Sequence, residues 1–348
     1  MTQEIITRTI TTNLFNPDDL LSASKILKDF QNWVIFAHKK TDGDSAGSVS
    51  ALFTMGVNCG KKVKWLGSDK DLPASFKFLA NSDKYFSCES FNFNEPETLY
   101  IFLDCSGDER TGIEGFNRGE KINSLNIDHH EDNTLFARIN CVDGQASSTC
   151  EMLYRVFKAG QWQINKEIAE SLYTGLFTDT GGFNFSNTSA ESHLMAADLL
   201  SLGVDPSRIN DLILKNRTPE NFKLWARALE RVKILYKIFA VSYLSANDFN
   251  ETGAEISDTT GLPSTLMTLR DIKFSVMIHE NITKQEISAS FRSCEGSPFC
   301  AGEFARLLGG GGHERAAGAT IGGSLNEVID KIEKLLTSKY HECSCINK

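Results

Sequence analysis

The chain has 348 residues, 41% hydrophobic and 23% charged, an ordinary globular balance with more length than one compact core usually takes, so two domains are expected. A net charge of −9 is the wrong sign for gripping long nucleic acid along its backbone. No apolar run approaches a membrane span and the first residues lack the order of a secretion signal, so we expect a cytoplasmic protein, no membrane partner and nine reduced cysteines.

In chain order, Trp33–Ala37 (WVIFA), Val63–Leu66, Leu99–Leu103 (LYIFL) and Leu125–Ile127 read as buried strands. Ser45–Val57, Ser147–Phe157 and Ile164–Phe177 read as helices, the last placing Ile164, Ile168, Leu172 and Leu176 on one face before it stops at Gly181-Gly182. This α/β alternation predicts a parallel sheet with flanking helices over residues 14–188. Asp205-Pro206 and Thr218-Pro219 each set a capping residue before proline at the first helical position. Helices near 189–202, 206–215 and 219–235 are therefore expected, forming a helical connector over 189–236.

From residue 237 to 340 the pattern changes to a smaller α/β domain. Ile272, Phe274, Val276 and Ile278 alternate with polar residues, as do Ile287, Ala289 and Phe291, with a hairpin turn expected at 280–285. Phe299–Leu308 reads as a helix running into Gly309–Gly312, and Ser324 with Glu327 forms a capping box for a final helix. Cys343 and Cys345 make a C-x-C that we read as tail, since two thiols alone are a poor metal site.

Chemistry gathers where strands end. WVIFA leads into His38-x-x-x-Asp42-x-Asp44, LYIFL into Asp104, and LNI into Asp128-His129-His130, while Asp179 follows the long amphipathic helix. In an open parallel sheet, sites assemble at the carboxyl ends of the strands. Carboxylates and imidazoles without thiolates suit Mn²⁺ or Mg²⁺, with Co²⁺ also compatible. Two cations about 3.5–4 Å apart sharing a bridging carboxylate can activate a water for in-line attack on phosphorus. Any one of these aspartates could instead be a helix cap or a turn residue. All of them at element ends together are hard to explain that way.

With these segments in hand, the chain resembles the DHH family of phosphoesterases, in the DHH–DHHA1 form that includes nanoRNA hydrolases and 3′-phosphoadenosine-5′-phosphate (pAp) phosphatases. The resemblance spans AHKKTDGDSAGS (37–48), LDCSGDER (103–110), NIDHHEDN (126–133), YTGLFTDTGGF (173–183) and GGGGHERAAGA (309–319). It implies that His38 and Asp42 hold one metal, that Asp104 bridges, and that Asp44, His129 and Asp179 complete the second site. Asp128 would orient a neighbouring imidazole, and His130 would contact the scissile phosphate as an acid or hydrogen-bond donor. Two departures stand out: Thr41 where proline is usual, and Leu308 where an aromatic often precedes the glycines.

The glycine run reads in two ways, as a helix cap with a tight turn or as a phosphate-cradling loop. The resemblance favours the second, with Gly310, Gly311, Gly312, His313 and Arg315 as substrate contacts. Arg292-Ser293, at a predicted strand end, fits the same pocket, where the guanidinium could grip a terminal phosphate. Arg110 reads either as a further phosphate contact or as a partner for local acid. The expected function is a two-metal, Mn²⁺-type phosphodiesterase that releases 5′-mononucleotides from single-stranded substrates of two to a few nucleotides, with 3′-phosphatase action on pAp alongside. Long nucleic acid is not an expected partner, a homodimer is compatible with the reading, and hinge motion in the connector is expected to close a cleft. The alternatives are a cyclic or linear dinucleotide phosphodiesterase and a non-catalytic nucleotide-binding module; a RecJ-like nuclease and a family II pyrophosphatase fit less well.

Overall fold

A computed structural model describes residues 16–95, 97–117, 122–215, 217–281, 286–312 and 314–346, in two compact units that divide between residues 216 and 217. The first contains α1 (Asp18–Asp29), β1 (Asn32–Phe36), α2 (Gly43–Asn58), β2 (Lys62–Gly67), β3 (Tyr85–Ser87), β4 (Thr98–Leu103), β5 (Ser124–Asp128), β6 (Ile139–Val142), α3 (Thr149–Ala159), α4 (Lys166–Asp179), α5 (Ala190–Ser201) and α6 (Pro206–Leu214). Its six strands are all parallel and stand in the order β3-β2-β1-β4-β5-β6.

Both faces of this sheet are buried, which is why its central strands read as unbroken apolar runs rather than alternating ones. Trp33, Ile35, Ile101 and Leu103 pack into one core with α1 to α5. Val34, Phe36, Tyr100 and Phe102 point the other way, into a core closed by Phe93, Ile113 and Phe136. Among the described residues the α-helices of this unit therefore cover one face, and aromatic loop segments cover the other. Each fully buried side chain of this size contributes about 1.5–3 kcal/mol.

The second unit comprises α7 (Pro219–Glu230), β7 (Lys233–Leu235), β8 (Phe239–Leu244), α8 (Ala246–Thr252), α9 (Leu262–Leu266), β9 (Phe274–Asn281), β10 (Glu286–Ser293), α10 (Ala301–Leu307), β11 (Gly311–Gly312), β12 (Ala316–Ile321) and α11 (Leu325–Ile346). Its mixed sheet runs β11-β12-β10-β9-β8-β7. α10 and α11 pack on one side of it, α7, α8 and α9 on the other. No helix of the described residues is long and apolar enough to cross a membrane.

Most expected elements are present within a residue or two, including the caps by Asp205, Thr218 and the Ser324–Glu327 pair. The expected helix over 219–235 is shorter. It ends at Glu230, and Lys233–Leu235 instead pairs antiparallel with β8. The turn joining them has positive φ at Tyr236 (52°) and Lys237 (64°), the geometry of a tight hairpin without the Asn-Gly that usually announces one. β12 is not among the expected elements: Ala317, Ala319 and Ile321 alternate inward, but small side chains make a faint pattern. The turn expected at 280–285 falls partly outside the described residues.

α2 and α4 touch through glycine. A Cβ on Gly47 would lie 2.5 Å from the Ser171 carbonyl oxygen and 3.0 Å from the Gly175 nitrogen. One on Gly175 would collide with Cys150 Sγ and come within 2.6 Å of Asp44 Oδ1. This approach brings the start of α2 beside α4. We expect Gly47→Ala to lower stability in urea unfolding by about 1–3 kcal/mol, the usual effect of overpacking; an unchanged midpoint would show that the two helices separate freely.

Candidate metal centre

The strand order decides where the chemical groups meet. After β1 the chain builds outward on one side, and from β4 it builds outward on the other. The loops leaving β1 and β4 therefore diverge and open a crevice at their carboxyl ends. His38 and Asp42 leave β1, Asp104 follows β4, Asp128 ends β5, and His129 and His130 come next. Asp44 lies in the first turn of α2 and Asp179 is the last residue of α4.

The structure brings all eight together. His38, Asp42 and Asp104 form one group whose ligand atoms lie within 4.8 Å of one another; Asp44, His129 and Asp179 form a second. His38 Nε2 is 3.3 Å from Asp42 Oδ2 and 3.2 Å from Asp104 Oδ2. His129 Nε2 is 3.3 Å from Asp179 Oδ2, 3.9 Å from Asp44 Oδ2 and 3.7 Å from Asp104 Oδ1. Asp104 thus turns one oxygen to each group.

Local structure aims these side chains. His38 Nδ1 lies 2.8 Å from Lys39 O and His129 Nδ1 3.3 Å from Ala146 O. A carbonyl can only accept, so each Nδ1 carries the hydrogen and each Nε2 faces the carboxylates. Asp42 combines both roles weighed from the sequence. It caps α2, accepting from Ser45 N–H at 3.0 Å, and its other oxygen faces His38. Asp104 has φ of 59°, a left-handed conformation that costs a non-glycine residue about 1–2 kcal/mol. Strain of this kind persists where surrounding structure demands it.

Three supporting residues were not legible in the sequence. Thr149 donates its N–H to Asp44 Oδ2 at 2.6 Å and its hydroxyl to Asp104 Oδ1 at 3.1 Å, while Cys150 N–H donates to Asp44 Oδ1 at 2.9 Å. The start of α3 thereby offers orphan amides to a buried carboxylate. Asn133 Nδ2 donates to Asp128 Oδ2 at 2.6 Å, and His130 Nδ1 is 2.8 Å from Asp128 Oδ1. These partners lie 45 and 105 residues from Thr149 and form no local pattern; Asn133 sat in a quoted motif without a role.

Crowded carboxylates unsettle one another. Burial, followed by the charges of Asp44 and Asp104, pushes Asp179 up to about 10. Burial and then Asp104 push Asp44 up to about 7. Burial alone would lower His38, but its bonds to Asp104 and Asp42 lift it to about 11. Burial likewise opposes ionisation of Asp42, yet His38 holds it down at about 2. For His130 burial is outweighed by Asp128, which raises it to about 9. The donors are carboxylate oxygens and imidazole nitrogens, and the neighbouring thiols of Cys105 and Cys150 are held neutral by burial. Such a set fits a hard divalent cation.

With pKa values raised in this way, His38 and Asp179 would hold protons near neutral pH that a bound cation would have to displace. Binding of Mn²⁺ near neutral pH should therefore release on the order of two protons, chiefly from His38 and Asp179, and affinity should rise with pH as those protons become easier to displace. Calorimetric titrations in buffers of different ionisation enthalpy measure this; affinity and heat independent of pH and buffer would contradict it.

Arg110 is half-buried and its charge is felt by His130. The other expected substrate contacts lie in the second unit. Arg292 pairs in register with Ala316, and Ser293 N–H donates to Arg315 O at 3.0 Å, so these residues share one end of β10 and β12. Arg315 is 3.3 Å from Glu295. Gly310 N–H donates to Ala305 O at 2.8 Å, capping α10, and Gly311 and Gly312 pair with Gly318 and Ala317. The cap and the ladder thus account for much of the glycine run. His313 lies outside the described residues.

The model of the DHH family, N-terminal domain, matches residues 32–176, and that of the DHHA1 domain matches residues 237–338. Over 314 residues the chain is 29% identical to the bifunctional oligoribonuclease and PAP phosphatase NrnA of Thermus thermophilus, covering 89% of this chain and 90% of that protein. It is 28% identical over 293 residues to the protein of the same name from Bacillus subtilis, covering 83% and 88%. The crystal structure of an exopolyphosphatase-related protein from Bacteroides fragilis matches with a TM-score of 0.83 at 23% identity, over 94% of this chain and 98% of that one, and so shares the fold.

Proposed function

This chain belongs to the DHH family, in the form that carries a DHHA1 domain, and is a metal-dependent hydrolase of phosphate esters; from that premise we propose that it cleaves very short oligonucleotides to 5′-mononucleotides and removes the 3′-phosphate of pAp, using two Mn²⁺ ions. The observation that supports two ions rather than one is Asp104, whose separate oxygens address two different histidine–aspartate groups. His38 and Asp42 would hold one ion, Asp44, His129 and Asp179 the other, with Asp104 shared. When bound, divalent cations supply positive charge to the phosphate oxygens and acidify a water.

The chain's own residues divide the remaining work. Asp128 accepts from His130 Nδ1 and keeps that imidazole protonated, leaving Nε2–H to donate to the departing ribose oxygen. Asn133 holds the far oxygen of Asp128, so the pair keeps one orientation. Arg110 adds positive charge near His130. In the second unit, Arg292 is half-buried, which lowers its pKa, and among the described residues no carboxylate pairs with it. A desolvated guanidinium without a counter-ion suits a terminal phosphate. Net charge of −9 favours a substrate held by its ends over one tracked along its length.

The test offers purified protein with Mn²⁺ a 5′-phosphorylated dinucleotide, a 24-mer RNA, pAp and cyclic di-AMP under one ionic strength. The dinucleotide should be turned over fastest. His130→Ala should lower kcat about 10²–10⁴-fold, the worth of a positioned acid, and Asp104→Ala at least as much. Preference for the 24-mer would contradict the substrate class; undiminished activity in either variant would contradict the site.

A further inference from the structure

The loop between β1 and α2 carries His38 and Asp42, and it is held in an uncommon shape. Lys40 has φ of 61°, a left-handed conformation that a residue with a long side chain adopts only under constraint. On one flank the loop is tied by Lys39 N–H, which donates to Arg110 O at 2.8 Å. On the other, three donors converge on one carboxylate. Asp69 Oδ1 accepts from Lys40 N–H at 2.9 Å, and Asp69 Oδ2 accepts from Thr41 N–H and from the Thr41 hydroxyl, each at 2.8 Å.

Asp69 is itself well anchored, two residues beyond the end of β2. Tyr85 Oη donates to its carbonyl at 2.6 Å, and Tyr85 packs edge-on against Trp65 with ring centres 5.9 Å apart. The preceding Ser68 hydroxyl donates to Thr111 O at 2.7 Å. Burial works against a charge on Asp69, yet the amides of Thr41 and Lys40 hold its pKa below the usual carboxylate range, so it meets the loop ionised.

We propose that Asp69 is a positioning residue of the metal centre, which by gripping Lys40 and Thr41 sets the directions in which His38 and Asp42 face Asp104. The inference rests on the metal reading of that site. Asp69 acts at one remove: its hydrogen bonds go to the backbone and hydroxyl between the two ligands. Without it, the amides of Lys40 and Thr41 lose their partner, the left-handed turn relaxes, and His38 and Asp42 no longer present a common opening. The loss should appear in ion affinity and kcat, with KM little changed.

Four variants test this: Asp69→Ala, Thr41→Val, Thr41→Ser and, as a charge control two residues away, Asp71→Ala. In metal-free protein, Asp69→Ala should speed hydrogen exchange of residues 38–42 at least tenfold. Its Mn²⁺ affinity and kcat should each fall about 10–100-fold, as they do when the residue orienting a ligand is lost. Thr41→Val, which keeps the N–H but loses the hydroxyl, should fall between; Thr41→Ser and Asp71→Ala should match wild type. Exchange and affinity of Asp69→Ala within twofold of wild type would overturn the proposal, as would a Thr41→Ser variant no better than Thr41→Val. Should Asp69→Ala fail to fold, the Thr41 pair decides by the same comparison. A wild type that binds no Mn²⁺ would overturn the metal reading instead, and the exchange data would then judge the clamp alone.

Discussion

Charge repulsion in a confined space is the constraint around which the first unit is organised. Asp42, Asp44, Asp104 and Asp179 meet in one crevice, with Asp44 and Asp104 almost fully buried, Asp179 partly so and Asp42 open to solvent. A carboxylate in such a place must find protons, amides, imidazoles or cations. The protein supplies some of each. α3 turns two amides to Asp44, Thr149 gives its hydroxyl to Asp104, and His38 and His129 stand between the acids. What remains uncompensated shows in the raised values of Asp44 and Asp179. Protein groups alone leave the centre short of positive charge.

Rigidity is what makes so costly an arrangement durable. The side chains come from β5, α2, α4 and the segments that leave β1 and β4, elements fixed by packing in the cores of the first unit. Gly47 and Gly175 permit α2 to lie against α4, while Trp33, Ile35 and Ile101 seat the helices on the sheet. Asp104, whose two oxygens face the two groups, leaves its strand with a positive φ, a strain that the surrounding packing sustains. The second unit shows the opposite economy. Its glycine run is largely committed to capping α10 and pairing with β12, while Arg292 nearby donates to Phe291 O at 2.9 Å and has no carboxylate partner among the described residues.

How much of this could be read beforehand depended on the range of the interaction. Unbroken runs such as WVIFA and LYIFL announced β1 and β4, since strands buried on both faces carry apolar residues at every position. The acids and histidines were legible because each sits where an element begins or ends. α1 drew no attention, although Ala23, Ile26 and Leu27 form its inner stripe. β7 was absorbed into a helix because its hairpin lacks glycine or asparagine, and β12 was masked by alanines. Thr149 and Asp69 were silent for a different reason: each acts across a sequence gap that only the strand order closes, whereas Asn133 stands beside Asp128 in the chain and its role shows only in the shape of the loop that carries it. The departure at Thr41 gains a physical meaning here, since a proline in that place would have no N–H to give Asp69.

The claim that one aspartate serves two cations can be examined directly. Crystals of the protein grown or soaked with Mn²⁺ should show two anomalous-scattering peaks on opposite sides of the Asp104 carboxylate, one beside His38 and Asp42 and the other beside Asp44, His129 and Asp179. A single peak, or peaks away from these residues, would contradict it.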